Sequence, residues 1–180
     1  MRLDASHSMA LCIDLQERLF PHIHGHDELA DRCSRLICGL RALDVPIIVT
    51  EQYVKGLGPT IAPISEALGQ YEPLEKMSFS CCGVDDIEAQ VLGARRHTMI
   101  LFGIETHVCV LQTALDLLAQ GQTVVVVEDC VSSRNANDKR IAIERMRSHG
   151  AIITSMESIL FELLRVAGTD TFKAISAIVK

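Results

Sequence analysis

The 180-residue chain has no tryptophan, and only 4% of its residues are aromatic. Aromatic anchors therefore say nothing about subunit number. No apolar run approaches the roughly 18 residues a membrane-spanning helix needs, so no membrane association is expected. The N-terminus, MRLDASHSMA, lacks the charged-then-apolar pattern of a secretory leader. Positive charge is scarce as well: 17 Lys and Arg against 23 Asp and Glu leave a formal charge of −6. Acidic and basic residues are mixed along the chain, without a basic patch or RGG-like tract. Nucleic acid is therefore not an expected partner. These absences point to a soluble, cytosolic protein.

Cysteine is plentiful, but seven is an odd number and the spacings are irregular. Cys12, Cys33, Cys38 and Cys130 lie in apolar stretches and read as reduced, buried thiols rather than a secreted disulfide framework. Cys81 and Cys82 are adjacent, with no second pair at zinc-finger spacing. They read as residues that line or support a pocket. No histidine lies between His26 and His97. His22, His24 and His26 form an HxHxH after Pro21; surface histidines are the plain reading, and adventitious metal binding the sharper one. No metal and no cofactor is expected.

What is present suits one domain over residues 1–180, 48% hydrophobic and long enough for a proper core. Short apolar runs alternate with helical patterns. Residues 10–14, 45–50, 73–77, 98–102, 123–128 and 151–154 read as strands. Residues 29–43, 64–68, 84–95, 108–118, 137–149 and 155–165 read as helices. Between them, 51–63 is a turn-forming loop carrying Gly56, Gly58, Pro59 and Pro63. In the tail, Phe172, Ile175 and Ile178 form a helical stripe that should dock on the body or on another subunit. Alternating β and α elements with near-continuous apolar strands imply a parallel sheet covered on both faces. The expected fold is α/β: a three-layer α-β-α, Rossmann-like domain with a six-stranded parallel sheet in the order 3-2-1-4-5-6.

In such sheets ligands bind beyond the carboxyl ends of the strands, where the strand order reverses. Asp14 ends the first strand, Lys76 ends the third in LEKMSF, and Cys109 follows the fourth in GIETHVC. An acid, an amine and a thiol at three strand ends can form a proton acceptor, a stabilising cation and a nucleophile. Cys109 should sit in the first turn of a helix, where unpaired N–H groups and the helix dipole lower a thiol pKa. Phe20, Gln52, Tyr53, Leu57 and Phe79, with His107 beside the nucleophile, are the candidate substrate-binding residues. Such a pocket suits a small, partly apolar molecule.

From about Met9 onward the chain resembles the isochorismatase-like cysteine hydrolases, a superfamily that includes nicotinamidases and N-carbamoylsarcosine amidohydrolase. The resemblance rests on LCIDLQERL, TEQYVKGLGPT, EKMSF, GIETHVCVLQTALDL and VVVVEDCVSSR, in that order. It implies a catalytic set of Asp14, Lys76 and Cys109 that cleaves an amide-type bond through a thioester. It also implies a cis peptide between Ile104 and Glu105, turning the Glu105 N–H beside that of Cys109 to form an oxyanion hole. The TEQYxxGLG stretch resembles a branch of mostly uncharacterised hydrolases. It lacks the Asp-x-His of the nicotinamidase metal site, so metal-dependent nicotinamide chemistry is disfavoured. Relatives are commonly oligomeric, so a homo-oligomer acting on a small-molecule substrate is expected. A non-catalytic binding or scaffold member of the same fold is the alternative. The chain has no GxGxxG after the first strand, which weakens a nucleotide-binding reading.

Overall fold

The computed structural model describes residues 2–94 and 96–180, with Leu92 described through its backbone alone. Six strands form one sheet: β1 (Ser8–Ile13), β2 (Ile47–Gln52), β3 (Leu74–Lys76), β4 (Thr98–Ile104), β5 (Thr123–Ser132) and β6 (Ile152–Thr154). All neighbours pair in parallel, in the order β3-β2-β1-β4-β5-β6. This is the expected order. β1 and β4 lie side by side at its centre, so the crevice falls between their carboxyl ends.

Strand side chains alternate between the two faces of a sheet, and the core divides accordingly. Ala10, Cys12, Ile100, Phe102, Val125 and Val127 face one way, against α1 (His26–Ala42), α3 (Ala62–Leu68), α7 (Met156–Leu164) and α8 (Asp170–Ile178). Met9, Leu11, Ile13, Met99, Leu101, Val124 and Val126 face the other way, against α4 (Asp85–Gly93), α5 (Leu111–Ala119) and α6 (Ala136–Ser148). The buried face of α1 reads Leu29, Cys33, Leu36, Ile37 and Leu40, a helical spacing. In the tail, α8 buries Ile175 completely in the α1–α7 layer, so the stripe docks on the body.

Several boundaries differ from the sequence reading. The 51–63 loop contains a short helix, α2 (Val54–Leu57). The helix read over 84–95 spans Asp85–Gly93, and Arg95 lies outside the described residues. Cys38 is exposed, because it points away from the α1 stripe that buries Cys33 and Ile37. The other cysteines are buried except Cys82, which is half-buried. The structural caps are local: Asn135, Ser155 and Thr169 accept backbone N–H groups at the starts of α6, α7 and α8. Among the described residues no helix is long and apolar enough to cross a membrane.

Candidate active site

Asp14 follows β1 in a left-handed backbone conformation, φ 53°, which Asp tolerates better than most residues. Its carboxylate is buried and lies 2.6 Å from the Lys76 ammonium, also buried, at the end of β3. β2 separates the two strands and supplies partners to both. The Thr50 hydroxyl donates to Asp14 Oδ1 at 2.8 Å, and two residues on, Gln52 Oε1 accepts from Lys76 Nζ at 2.7 Å. Nζ also donates to the carbonyls of Ser78 and Phe79, at 3.2 and 3.0 Å. Asp14 Oδ2 and Nζ thus form a fully buried ion pair.

Cys109 arrives from the β4 side. Gly103 pairs with Ile13 across the β1–β4 seam. Its φ is +126°, and a Cβ there would fall 2.1 Å from the Ile13 carbonyl oxygen. Only glycine permits this approach. The Ile104–Glu105 peptide is cis. The chain then enters a π-helical turn, Thr106–Val110, in which the Val110 N–H reaches the Glu105 carbonyl at 3.2 Å. A π turn rather than an α-helical first turn therefore carries Cys109, and α5 begins only at Leu111. Below it, Thr113 Oγ1 donates to the Cys109 carbonyl at 2.7 Å and accepts the Cys81 N–H at 3.0 Å. Cys81 thus supports the floor from beneath.

The expectation of an acidified thiol fails. Cys109 is pushed up to about 12, first by burial and then by the Asp14 carboxylate, with Lys76 pulling it back only in part. Desolvation and a neighbouring anion outweigh the helix terminus here. The resting side chain is a neutral thiol.

These elements enclose a cleft of about 310 Å³. Asp14, Gln52 and Cys109 lie at its inner end, while Leu19, Leu57, Phe79, Ile104 and Val108 make apolar walls. Arg134 and Glu105 close one side. The Glu105 carboxylate is buried and binds both the Arg134 backbone N–H and its Nε. The Leu57 wall is tied down. Gln16 Nε2 donates to the Gly58 carbonyl at 2.7 Å, the Arg18 N–H to Leu57 at 3.0 Å and the Glu17 N–H to Pro59 at 3.0 Å. Glu51 Oε1 holds Thr60 through its N–H and hydroxyl, at 2.8 and 2.7 Å.

The isochorismatase domain family matches residues 8–158, most of the chain and all of the site. The chain belongs to the isochorismatase family. Isochorismatase domain-containing protein 1 of Danio rerio is 39% identical over 99% of this chain; the match covers 62% of that protein, so this chain spans about three-fifths of that relative's length. The solved structure of the MAR1 ribonuclease from Caenorhabditis elegans is 38% identical, with a TM-score of 0.93 over 99% of this chain and 92% of that one. YcaC from Pseudomonas aeruginosa, solved with hexane-2,5-diol and covalent acrylamide, is 26% identical, with a TM-score of 0.91 over 98% and 91%.

Within this isochorismatase fold the sequence-derived residues separate. Asp14, Gln52, Leu57, Phe79, Ile104, Glu105 and Cys109 line one cleft, with Lys76 behind Asp14. Phe20 is not among them: the 3₁₀ turn Phe20–His22 buries it in the α1 layer, edge-on to His26, and Leu19 faces the cleft instead. Tyr53 is also elsewhere, exposed over Gly56 at the start of α2. His107 is half-buried beside the cleft, its Nδ1 3.0 Å from Ser133 Oγ, and does not line it. His22 and His24 are exposed and His26 is half-buried. Among the described residues no group of three His, Cys, Asp or Glu side chains is placed to hold a metal. Sequence reasoning missed Thr50, Val108 and Arg134. Thr50 was readable: it stands two residues before Gln52 on a strand, hence on the same face.

Proposed function

We propose that this chain is a cysteine hydrolase that cleaves the C–N bond of a small amide through a thioester on Cys109. The observation that supports it most is the buried Asp14–Lys76 pair beside Cys109. A buried carboxylate, 2.6 Å from a buried ammonium, shares a cleft with a neutral thiol. That pairing fits a general base awaiting a proton.

In the proposed reaction the Cys109 thiol proton passes to Asp14 Oδ2 as sulfur bonds to the substrate carbonyl carbon. Because the resting thiol is neutral, proton transfer and attack are coupled rather than sequential. Lys76 stabilises the anionic charge shared by sulfur and carboxylate. The backbone N–H groups of Glu105 and Cys109 would hold the carbonyl oxygen as it becomes an oxyanion. Collapse breaks the C–N bond, and Asp14 returns the proton to the leaving amine. Water then attacks the thioester, gives its proton to Asp14, and releases the acid and the Cys109 thiol. The apolar walls suit a compact acyl group. Seven unbridged cysteines fit a reducing compartment such as the cytosol. A homo-oligomer, implied by the family resemblance, belongs to the same reading.

Intact-mass spectrometry after incubation with small amides and esters tests the proposal. The expected result is an acyl adduct on Cys109, absent from Cys109→Ala, with turnover lost by about 10⁴-fold or more. Ligand-dependent thermal stabilisation that survives Cys109→Ala, with no adduct, would establish the binding-protein alternative instead. The C. elegans neighbour is described as a ribonuclease. With a formal charge of −6 and one arginine at a largely apolar cleft, this chain is expected to leave RNA intact. RNA cleavage abolished by Cys109→Ala would overturn the amide reading.

A further inference from the structure

We propose that the cleft takes a substrate with an apolar acyl group and no carboxylate or phosphate, because the cation at its mouth, Arg134, is committed to Glu105. The inference rests on the cysteine-hydrolase reading above and names the substrate class of that site. Three side chains that carry charge line the cleft: Asp14, Glu105 and Arg134. Asp14 is matched by Lys76 behind it, at 2.6 Å. Glu105 is matched by Arg134, whose Nε donates to Oε1 and whose backbone N–H donates to Oε2 at 3.1 Å. His107, which does not line the cleft, stands with Nδ1 3.4 Å from the same Oε2. Two carboxylates and two cations thus cancel in pairs. Among the described residues no further cation lines the cleft to meet an anionic ligand.

Burial says which member of the second pair serves the other. The Glu105 side chain is 6% exposed and that of Arg134 60%. A carboxylate that deep needs a cation and hydrogen-bond donors. Arg134 supplies both from the end of β5, while most of its own side chain stands in solvent, where charge is screened. A guanidinium that recognises a ligand carboxylate presents a free planar fork and an unbalanced charge. Here Nε and the charge are already taken. A substrate carboxylate would lose its water among apolar walls. It would also meet Glu105 together with Arg134, because the two are in contact, so repulsion offsets attraction. What the cleft offers instead is apolar surface. The carbonyls of Met77 and Phe79 turn inward, accepting from Gln52 Nε2 at 2.9 Å and Lys76 Nζ at 3.0 Å. That fixes the turn after β3 with both side chains left exposed, and Phe79 joins Leu57 as a wall. Covering such surface favours an apolar acyl group.

The probes are p-nitrophenyl butyrate and mono-p-nitrophenyl succinate, whose acyl groups are of similar length and end in a methyl and a carboxylate. Acylation of Cys109 is timed by intact-mass spectrometry at one fixed pH. Sulfur bonds to the acyl carbon, p-nitrophenolate leaves with the bonding pair, and the thiol proton passes through Asp14 to water. Wild type should acylate at least about tenfold faster with the butyrate. Glu105→Gln keeps the backbone and frees the Arg134 charge, so the succinate should gain about tenfold relative to the butyrate. The double variant, Glu105→Gln with Arg134→Gln, removes both charges and should return the ratio to that of wild type. A purely structural loss would slow both esters alike and leave the ratio where it was. Equal rates in wild type, or a faster succinate, overturn the inference and leave the hydrolase reading intact. A succinate preference lost in the double variant would make Arg134 an anion receptor instead. A butyrate preference unmoved by Glu105→Gln overturns the inference as well. Wild type that forms no Cys109 adduct with either ester overturns the hydrolase reading and this inference with it. Thermal melts show which variants fold. If Glu105→Gln does not, the double variant decides, and a ratio that departs from wild type overturns the inference.

Discussion

On the β1–β3 side of the cleft the charges are held by a dense set of partners, while the β4 side presents Ile104, Val108 and an uncharged thiol, its one carboxylate, Glu105, being paired with Arg134. The polar side invests four strand-end contacts in two ions. The apolar side invests backbone geometry: a glycine no other residue can replace and a π turn. The difference shows how a cleft can hold reactive groups at rest. The ions are fixed by hydrogen bonds and by each other, the sulfur is kept neutral by burial, and the Asp14 carboxylate lies where the two sides meet.

Four experiments would break or sharpen that contrast. Gly103→Ala strikes the seam between the sides. A Cβ at 2.1 Å from the Ile13 oxygen cannot be absorbed by a rotamer change. The variant should lose about 5 kcal/mol or fail to accumulate as folded protein; a urea midpoint near wild type would show that β1 and β4 can separate locally. Lys76→Met strikes the polar side alone. It leaves Asp14 buried without its cation and should cost about 3–5 kcal/mol at neutral pH. A urea midpoint near wild type would mean that the pair adds nothing net to stability.

Thr50→Val is smaller. It deletes the donor to Asp14 Oδ1 at nearly constant volume and should cost about 1–3 kcal/mol by chemical denaturation. Equal stability would show that solvent reaches that oxygen. A last test changes no residue and grows from nothing as pH rises; it acts on the buried thiols. Cys12, Cys33, Cys81 and Cys109 are all raised by burial, Cys81 to about 11 and Cys109 to about 12. The unfolded chain ionises these thiols near their ordinary value while the folded chain keeps them protonated. Stability should therefore be complete below about pH 8.5 and fall by up to about 1.4 kcal/mol per pH unit for each thiol above it. A flat urea midpoint between pH 8 and 10 would contradict their burial.

The sheet order was legible because apolar strands alternate with helices and crossovers have one hand. That Asp14, Lys76 and Cys109 would gather at one end of the sheet was legible because each stands at, or a few residues beyond, the end of a strand. Three things were not. Phe20 and Leu19 are neighbours, and a 3₁₀ turn decides which one enters the core; hydrophobicity alone does not. The roles of Thr50 and Gln52 depend on β2 lying between the strands that carry the two ions, a fact of register rather than of motif. The thiol's ionisation was misjudged because depth of burial, absent from a sequence, outweighs the helix terminus.

The ties around Gly58 have a separate consequence. Gln16, Glu17 and Arg18 grip three successive residues of the segment carrying Leu57, and Gln16 bridges to Thr60 beyond it. A segment stitched down so closely does not swing. On that side the mouth of the cleft keeps a fixed gauge, so in the proposed reaction substrates would be sorted by girth rather than by a closing motion.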